Sequence, residues 1–234
     1  MTVTVPAPPK RRSGVPVLRA AGLAAAGAAN TVAGVWIAGG LITNDFRLSM
    51  ALTGLWFATA GALSLASFKA GRSIGIPLLA GYLIAATATG GYLAATTLRD
   101  KAVHETVVTG MPASQAPAAR AEAPANIQER SGRFTSGEHT TTGTARIVKL
   151  ADGRRVLTLT SFETAAGPDL RVRIVPGAST DGGADEAIDL GALKGNRGDQ
   201  QYALPDGLEA RNHTVVIWCR AFSALFGSTL LEES

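Results

Sequence analysis

The chain is poor in the residues that most often carry chemistry. Its 234 residues include one cysteine and three histidines, and only 17% are charged. A single cysteine excludes an intramolecular disulfide framework, and the C-x-x-C signatures of zinc sites and c-type haem attachment are missing too. The string Gly71-Arg72-Ser73-Ile74-Gly75 has Gly-x-Ser-x-Gly spacing but joins two apolar runs and follows no strand, so it is not a nucleophile elbow; a His-Glu-x-x-His helix and a glycine loop ending in Gly-Lys-Ser/Thr are absent. The scarcity of charge is also uneven. Residues 17–42, 48–68 and 74–98 contain no Asp, Glu, Lys or His, and Arg19 is their one charged residue. A proton relay, an ion site or a histidine pair holding a haem inside these stretches is therefore excluded.

What is present follows from the same unevenness. The chain is 46% hydrophobic with a mean hydropathy of +0.18, and the excess lies before residue 100. Each uncharged run reaches or exceeds the ~20 residues that cross a bilayer as a helix, so the sequence predicts three transmembrane helices over residues 17–98. Short polar turns at 43–47 and 69–72 join them, and a basic leader, residues 1–16, precedes them with Lys10, Arg11 and Arg12. The first run is too long for the h-region of a cleaved signal peptide, and another span follows within a few residues. Lys10, Arg11, Arg12, Arg19, Lys69 and Arg72 outnumber Arg47, Arg99 and Lys101 on the other side, which places the leader in the cytoplasm and everything after residue 98 outside. Residues 1–126 carry 10 Lys+Arg against 4 Asp+Glu, and residues 127–234 carry 12 against 14. The pI of 9.6 thus reports charges flanking the spans and implies no nucleic-acid partner. Glycines and alanines in the spans favour close helix packing, and Trp36, Trp56, Tyr82 and Tyr92 read as interface anchors or packing residues. The bundle is an anchor whose partner is the lipid bilayer. Arg outnumbers Lys 17 to 5 in an Ala- and Gly-rich chain, the coding bias of a high-GC bacterium, so the outer compartment is read as the bacterial cell envelope.

Residues 99–126 read as an Ala/Pro-rich linker, with Pro112, Pro117 and Pro124 and no apolar period, able to let the following domain stand clear of the lipid. Residues 127–234 form the outer domain. Short runs with β-strand alternation recur there between turn signals, at 143–150, 155–161, 170–175, 188–190 and 201–204. The last and most apolar run, His213–Cys219, is followed after a bend at Arg220-Ala221 by another strand. About eight short strands in about 100 residues predict an all-β fold, an antiparallel sandwich or open barrel. Alternation places Val215, Ile217 and Cys219 on one face of the last-but-one strand and Val216 and Trp218 on the other.

Phe134 with Ser136 and His139, then Gly143, Phe162, the run Gly167-Pro168-Asp169-Leu170, the glycine-rich stretch from Leu190 through Gly195, Gly198 and Asp199 to Tyr202, and Val216 through Cys219 to Phe222 form a pattern. Over residues 130–231 it resembles the DM-thirteen domain of Skeletor-type proteins. The resemblance implies an extracellular electron-transfer module in which Cys219 acts as a naked thiol or as the ligand of a prosthetic group such as haem. No sequence motif supports haem independently, so the cofactor stays unspecified, and an envelope redox protein is the implied partner.

The residues themselves leave two readings of Cys219 open. It is either a redox group or a core thiol at the end of an apolar strand. Arg220 projects from the opposite face, so an activating cation would have to come from another strand. His139 is the sharpest candidate to pair with Cys219, as a second ligand or as a base. Asp199 and Gln200 are expected to bond turn amides, and Gly191, Gly195 and Gly198 to turn the backbone rather than cradle phosphate. Asp181, Asp185, Glu186 and Asp189 lack EF-hand spacing, and no metal site is predicted. No motif specifies a donor, an acceptor or an oligomeric state. The rival function is a non-catalytic envelope adhesion or scaffold domain.

Overall fold

The computed structural model describes residues 15–43, 45–115, 125–208 and 212–233. The basic leader up to residue 14, Asn44 and linker residues 116–124 lie outside the described residues. The uncharged runs are three helices: α1 (Val15–Gly40), α2 (Phe46–Ala66), extended by a 3-10 turn at Ser67–Ala70, and α3 (Arg72–Thr97). All three are long and apolar enough to cross a membrane. The Asp45 carboxylate accepts the Leu48 N–H at 2.8 Å, so the one acid of the 43–47 turn caps α2. Small residues set the helix spacing. A Cβ added at Gly81 would lie 1.9 Å from the Ala24 carbonyl oxygen, so α1 and α3 meet backbone to backbone there. The Trp56 indole donates to the Asn30 carbonyl at 3.3 Å and the Tyr82 hydroxyl to that of Phe57 at 3.0 Å, which makes both rings packing residues between helices.

Beyond α3, apart from a 3-10 turn at Ala113–Gln115, the elements among the described residues are strands: β1 (Ala102–His104), β2 (Met111–Pro112), β3 (Ile127–Arg133), β4 (Thr135–Ser136), β5 (Thr142–Lys149), β6 (Arg155–Glu163), β7 (Leu170–Pro176), β8 (Ile188–Ala192), β9 (Arg197–Ala203), β10 (His213–Cys219), β11 (Ala224–Leu230) and β12 (Glu232–Glu233). One sheet runs β1-β9-β6-β5-β3-β12, with β2 also on β3, and the other runs β4-β11-β10-β7-β8. All pairings are antiparallel except β1 with β9 and β2 with β3. A single core joins the sheets: Ala145, Ile147, Leu157, Leu159 and Tyr202 from the first meet Val172, Ile174, Val215, Ile217 and Phe226 from the second. The domain is therefore a sandwich.

Strand β10 is central, paired with β7 and β11, and all seven of its residues are buried. The two faces divide as alternation requires. Val215, Ile217 and Cys219 enter the inter-sheet core, while Val216 and Trp218 join Val175 and Ala187 in a second cluster on the outer face. A loop covers that outer face, and the Arg173 guanidinium braces it by donating to the carbonyls of Gly182 and Ala187.

The segment read as a free linker is not one at its start. Four residues, 98–101, separate α3 from β1, and β1 adds to β9 as an edge strand. The Lys101 N–H donates to Asn196 Oδ1 at 2.6 Å. Glu105 accepts from Lys194 Nζ at 2.7 Å and from the Gln201 N–H at 2.9 Å. Leu93, one turn before the end of α3, packs against the sandwich core. The prolines that signalled a tether lie at 112–124, of which 116–124 are outside the described residues; ahead of them, backbone groups at 101–105 and 111–112 find partners on β9 and β3.

Candidate functional site at the Cys219 turn

Cys219 ends β10 opposite Leu170 of β7 and Ala224 of β11. Two tight turns close over it. In one, Asp169 has φ 58°, and in the other, Ser223 has φ 47°, both in the left-handed region that non-glycine residues enter at a cost. A clamp joins the turns: the Arg220 N–H donates to the Asp169 carbonyl at 3.1 Å, and Arg220 Nε to its carboxylate at 2.6 Å. Beneath the clamp the Cys219 thiol donates to the Pro168 carbonyl at 3.1 Å and has no solvent exposure. Burial pushes its pKa up to about 12; the amides of Phe222 and Ala221 counter this in part, and the charges of Asp169 and Glu138 add to it. The thiol is protonated at neutral pH.

His139 lies in the loop between β4 and β5, its ring 4.2 Å from that of Phe226. Burial, followed by the charge of Arg47 at the start of α2, lowers its pKa and favours the neutral imidazole. Phe226 belongs to the core that holds Cys219, so the two candidates occupy one end of the sandwich. The charges acting on the thiol are nevertheless those of Asp169 and Glu138. Among the described residues no cation is among the charges acting on the thiol, and Arg220, next to it in sequence, is turned outward with its side chain 63% exposed and paired to Asp169. Haem ligation does not fit Cys219 in this arrangement. The sulfur is sealed, protonated and hydrogen-bonded, and the clefts beside it are lined by Asp169, Leu170, Ala221 and Phe222 rather than by Cys219.

The remaining motif residues hold this end together. Asp199 accepts the Ser161 N–H at 2.7 Å, where β6 bulges with Ser161 at φ 49°. Fully buried Gln200 accepts from Lys194 N–H at 3.1 Å and donates to the Gly195 carbonyl at 2.8 Å. Gln200 thus bonds loop amides as its side-chain chemistry suggested, whereas Asp199 bonds the amide of a strand bulge. Phe134 and Phe162 form an edge-to-face pair at 5.2 Å in the core. Asp189 pairs with Arg171 at 3.1 Å, and Asp181 accepts the Gly183 N–H at 2.9 Å, which accounts for two residues of the acidic loop.

Residues 133–231 match the model of the family described as Electron transfer DM13. Over these residues the chain is similar to the DM13 domain, as the sequence pattern indicated. The matched segment spans all of the sandwich except β1, β2, most of β3 and β12, and includes Cys219, His139 and the two turns that close over the thiol. No curated protein and no solved structure gave a significant match. What no motif revealed is the contact of this end with the bundle. Ala221 and Phe222 of the turn after Cys219 line a cleft with Val32, Val35 and Trp36 of α1 and Tyr92 and Leu93 of α3. An exposed Trp and Tyr near the ends of two apolar helices were the only trace of it in the sequence.

Proposed function

We propose that the chain is a membrane-anchored extracytoplasmic redox module, in which the bundle fixes the DM13 domain at the bilayer surface and Cys219 exchanges electrons with an envelope redox protein. The match of the sandwich to an electron-transfer family carries this reading. The Lys/Arg bias across the spans supports the outward placement of the domain. A buried thiol whose hydrogen bond ends on a carbonyl has no base to take its proton, so redox use of Cys219 requires the turn at 220–223 to open. The Arg220–Asp169 clamp is then the latch.

A second reading is favoured by the sealed sulfur itself: a scaffold domain in which Cys219 is core. One experiment separates them, because Cys219 is the only thiol and any thiol reagent reports on it alone. Under the redox reading, alkylation of the native full chain proceeds without unfolding, Arg220→Ala accelerates it about tenfold or more, and protein-film voltammetry shows a wave that Cys219→Ser abolishes. Under the scaffold reading, alkylation follows global unfolding, Arg220→Ala leaves it unchanged, and no wave depends on Cys219.

A further inference from the structure

The cleft between bundle and sandwich has a character of its own. Its apolar arm, about 630 Å³, runs between α1 and α3 under Phe222, with Val32, Val35, Trp36 and Leu93 among its walls. A second arm of about 550 Å³ continues past Tyr92 and Asp169, which line both, to Arg99, Lys101 and Asn196. Volumes of this size are those of small-molecule sites. Two observations say what fills it. First, the apolar arm is walled by helices whose outward side chains require lipid. Trp36 is 72% exposed and Leu41 66%, surface that water covers only at a cost. Second, the polar arm is cationic in net effect. Asp100 is engaged by Arg197 at 3.1 Å and Asp169 by Arg220 at 2.6 Å, whereas no ion pair among the described residues involves Arg99 or Lys101.

We infer that this cleft seats one anionic glycerophospholipid of the surrounding bilayer, its acyl chain between α1 and α3 under Phe222 and its phosphate on Arg99 and Lys101. The inference rests on the anchored reading of the bundle and is independent of the redox one. It gives the junction a function, since a lipid under Ala221 and Phe222 holds shut the turn that covers Cys219. The chemistry selects charge: a zwitterionic headgroup brings its own cation to the arginine and lysine, and an anionic one does not.

The test uses the full chain in nanodiscs of phosphatidylcholine with and without phosphatidylglycerol. Native mass spectrometry after release counts retained lipid, and brominated lipids report proximity to Trp36, with Trp36→Phe identifying its share of the quenching. The expected result is one phosphatidylglycerol retained per chain where phosphatidylcholine is lost, and preferential quenching of Trp36 by the anionic lipid. The double variant Arg99→Ala, Lys101→Ala is expected to weaken retention about tenfold or more while leaving the fold intact, because both side chains are exposed and Lys101 bonds Asn196 through its backbone. Ala221→Trp, which fills the apolar arm, is expected to displace the lipid with the cations still in place. Equal retention of the two lipids, or indifference of the anionic one to both variants, overturns the lipid site. Failure of the chain to enter nanodiscs at all overturns the anchored reading instead.

Discussion

The helical bundle and the sandwich are both rich in apolar residues, yet they bury them in opposite directions. Only 17%, 22% and 17% of the apolar windows of the three helices are buried within the protein, and Leu18, Leu55 and Ile84 are largely exposed. In the sandwich Leu157, Leu159, Val172, Ile174 and Phe226 have at most a trace of exposure. The helices pair their interior backbone groups along their own length and can leave side chains to lipid. The sheets must pair strands and hide side chains from water. Cohesion differs accordingly. In the bundle it comes from close backbone approach at glycines such as Gly81, and in the sandwich from area removed from water around β10.

The contrast can be broken most forcefully at Trp218, which is 7% exposed and sits under the loop at Gly182. Trp218→Ala is expected to destabilise the sandwich by about 3–5 kcal/mol in chemical denaturation, leaving helix content in detergent unchanged. A loss under about 1 kcal/mol would mean that the outer face of β10 contributes little.

The pH dependence of Cys219 comes next in size. Its folded pKa is raised by burial, so the folded state binds the thiol proton more tightly. This contribution is complete below the unfolded pKa and declines as pH rises toward the folded value of about 12. Sandwich stability is therefore expected to fall by about 1.4 kcal/mol per pH unit more in the native chain than in Cys219→Ala between about pH 9 and pH 12. Parallel pH profiles would show that the thiol is not buried.

In the bundle, Gly81→Val drives a branched side chain into the Ala24 carbonyl and is expected to cost about 1–3 kcal/mol. Unfolding of the bundle in detergent mixtures should register it, with the urea midpoint of the sandwich unaltered. A coupled loss in both would show that the junction makes the two regions one cooperative unit. The smallest effect is expected at that junction. Glu105 has its pKa lowered chiefly by the Lys194 hydrogen bond, so its contribution is present above the unfolded pKa and lost as pH falls through the folded one. Glu105→Gln is expected to cost at most about 1 kcal/mol, given the exposure of the pair, and to speed amide exchange in β1 before any other strand.

Some elements were legible because one physical signal sufficed. Uncharged runs gave the helices to within a few residues, and period-two alternation gave β5, β6, β7 and both faces of β10. Strand β3, Ile-Gln-Glu-Arg-Ser-Gly-Arg, has no such period; it is held by its ladder to β5 and by Arg130, buried and bonded to Asn212, Glu233 and the Leu231 carbonyl. Strand β9 begins at Arg197, inside a stretch whose glycines suggested only turning.

The sequence by itself determined that three lipid-compatible helices precede a β domain, and that Cys219 shares one face of its most apolar strand with Val215 and Ile217, because charge, length and alternation are local properties of the chain. Tertiary structure decided that residues 102–104 and 111–112 join the first sheet, that an Arg220–Asp169 clamp closes over the thiol, and that the turn above it faces α1 and α3 across a cleft. Each of these depends on groups tens of residues apart meeting in space, and no local pattern encodes which distant partner satisfies a backbone amide, a carboxylate or an apolar wall.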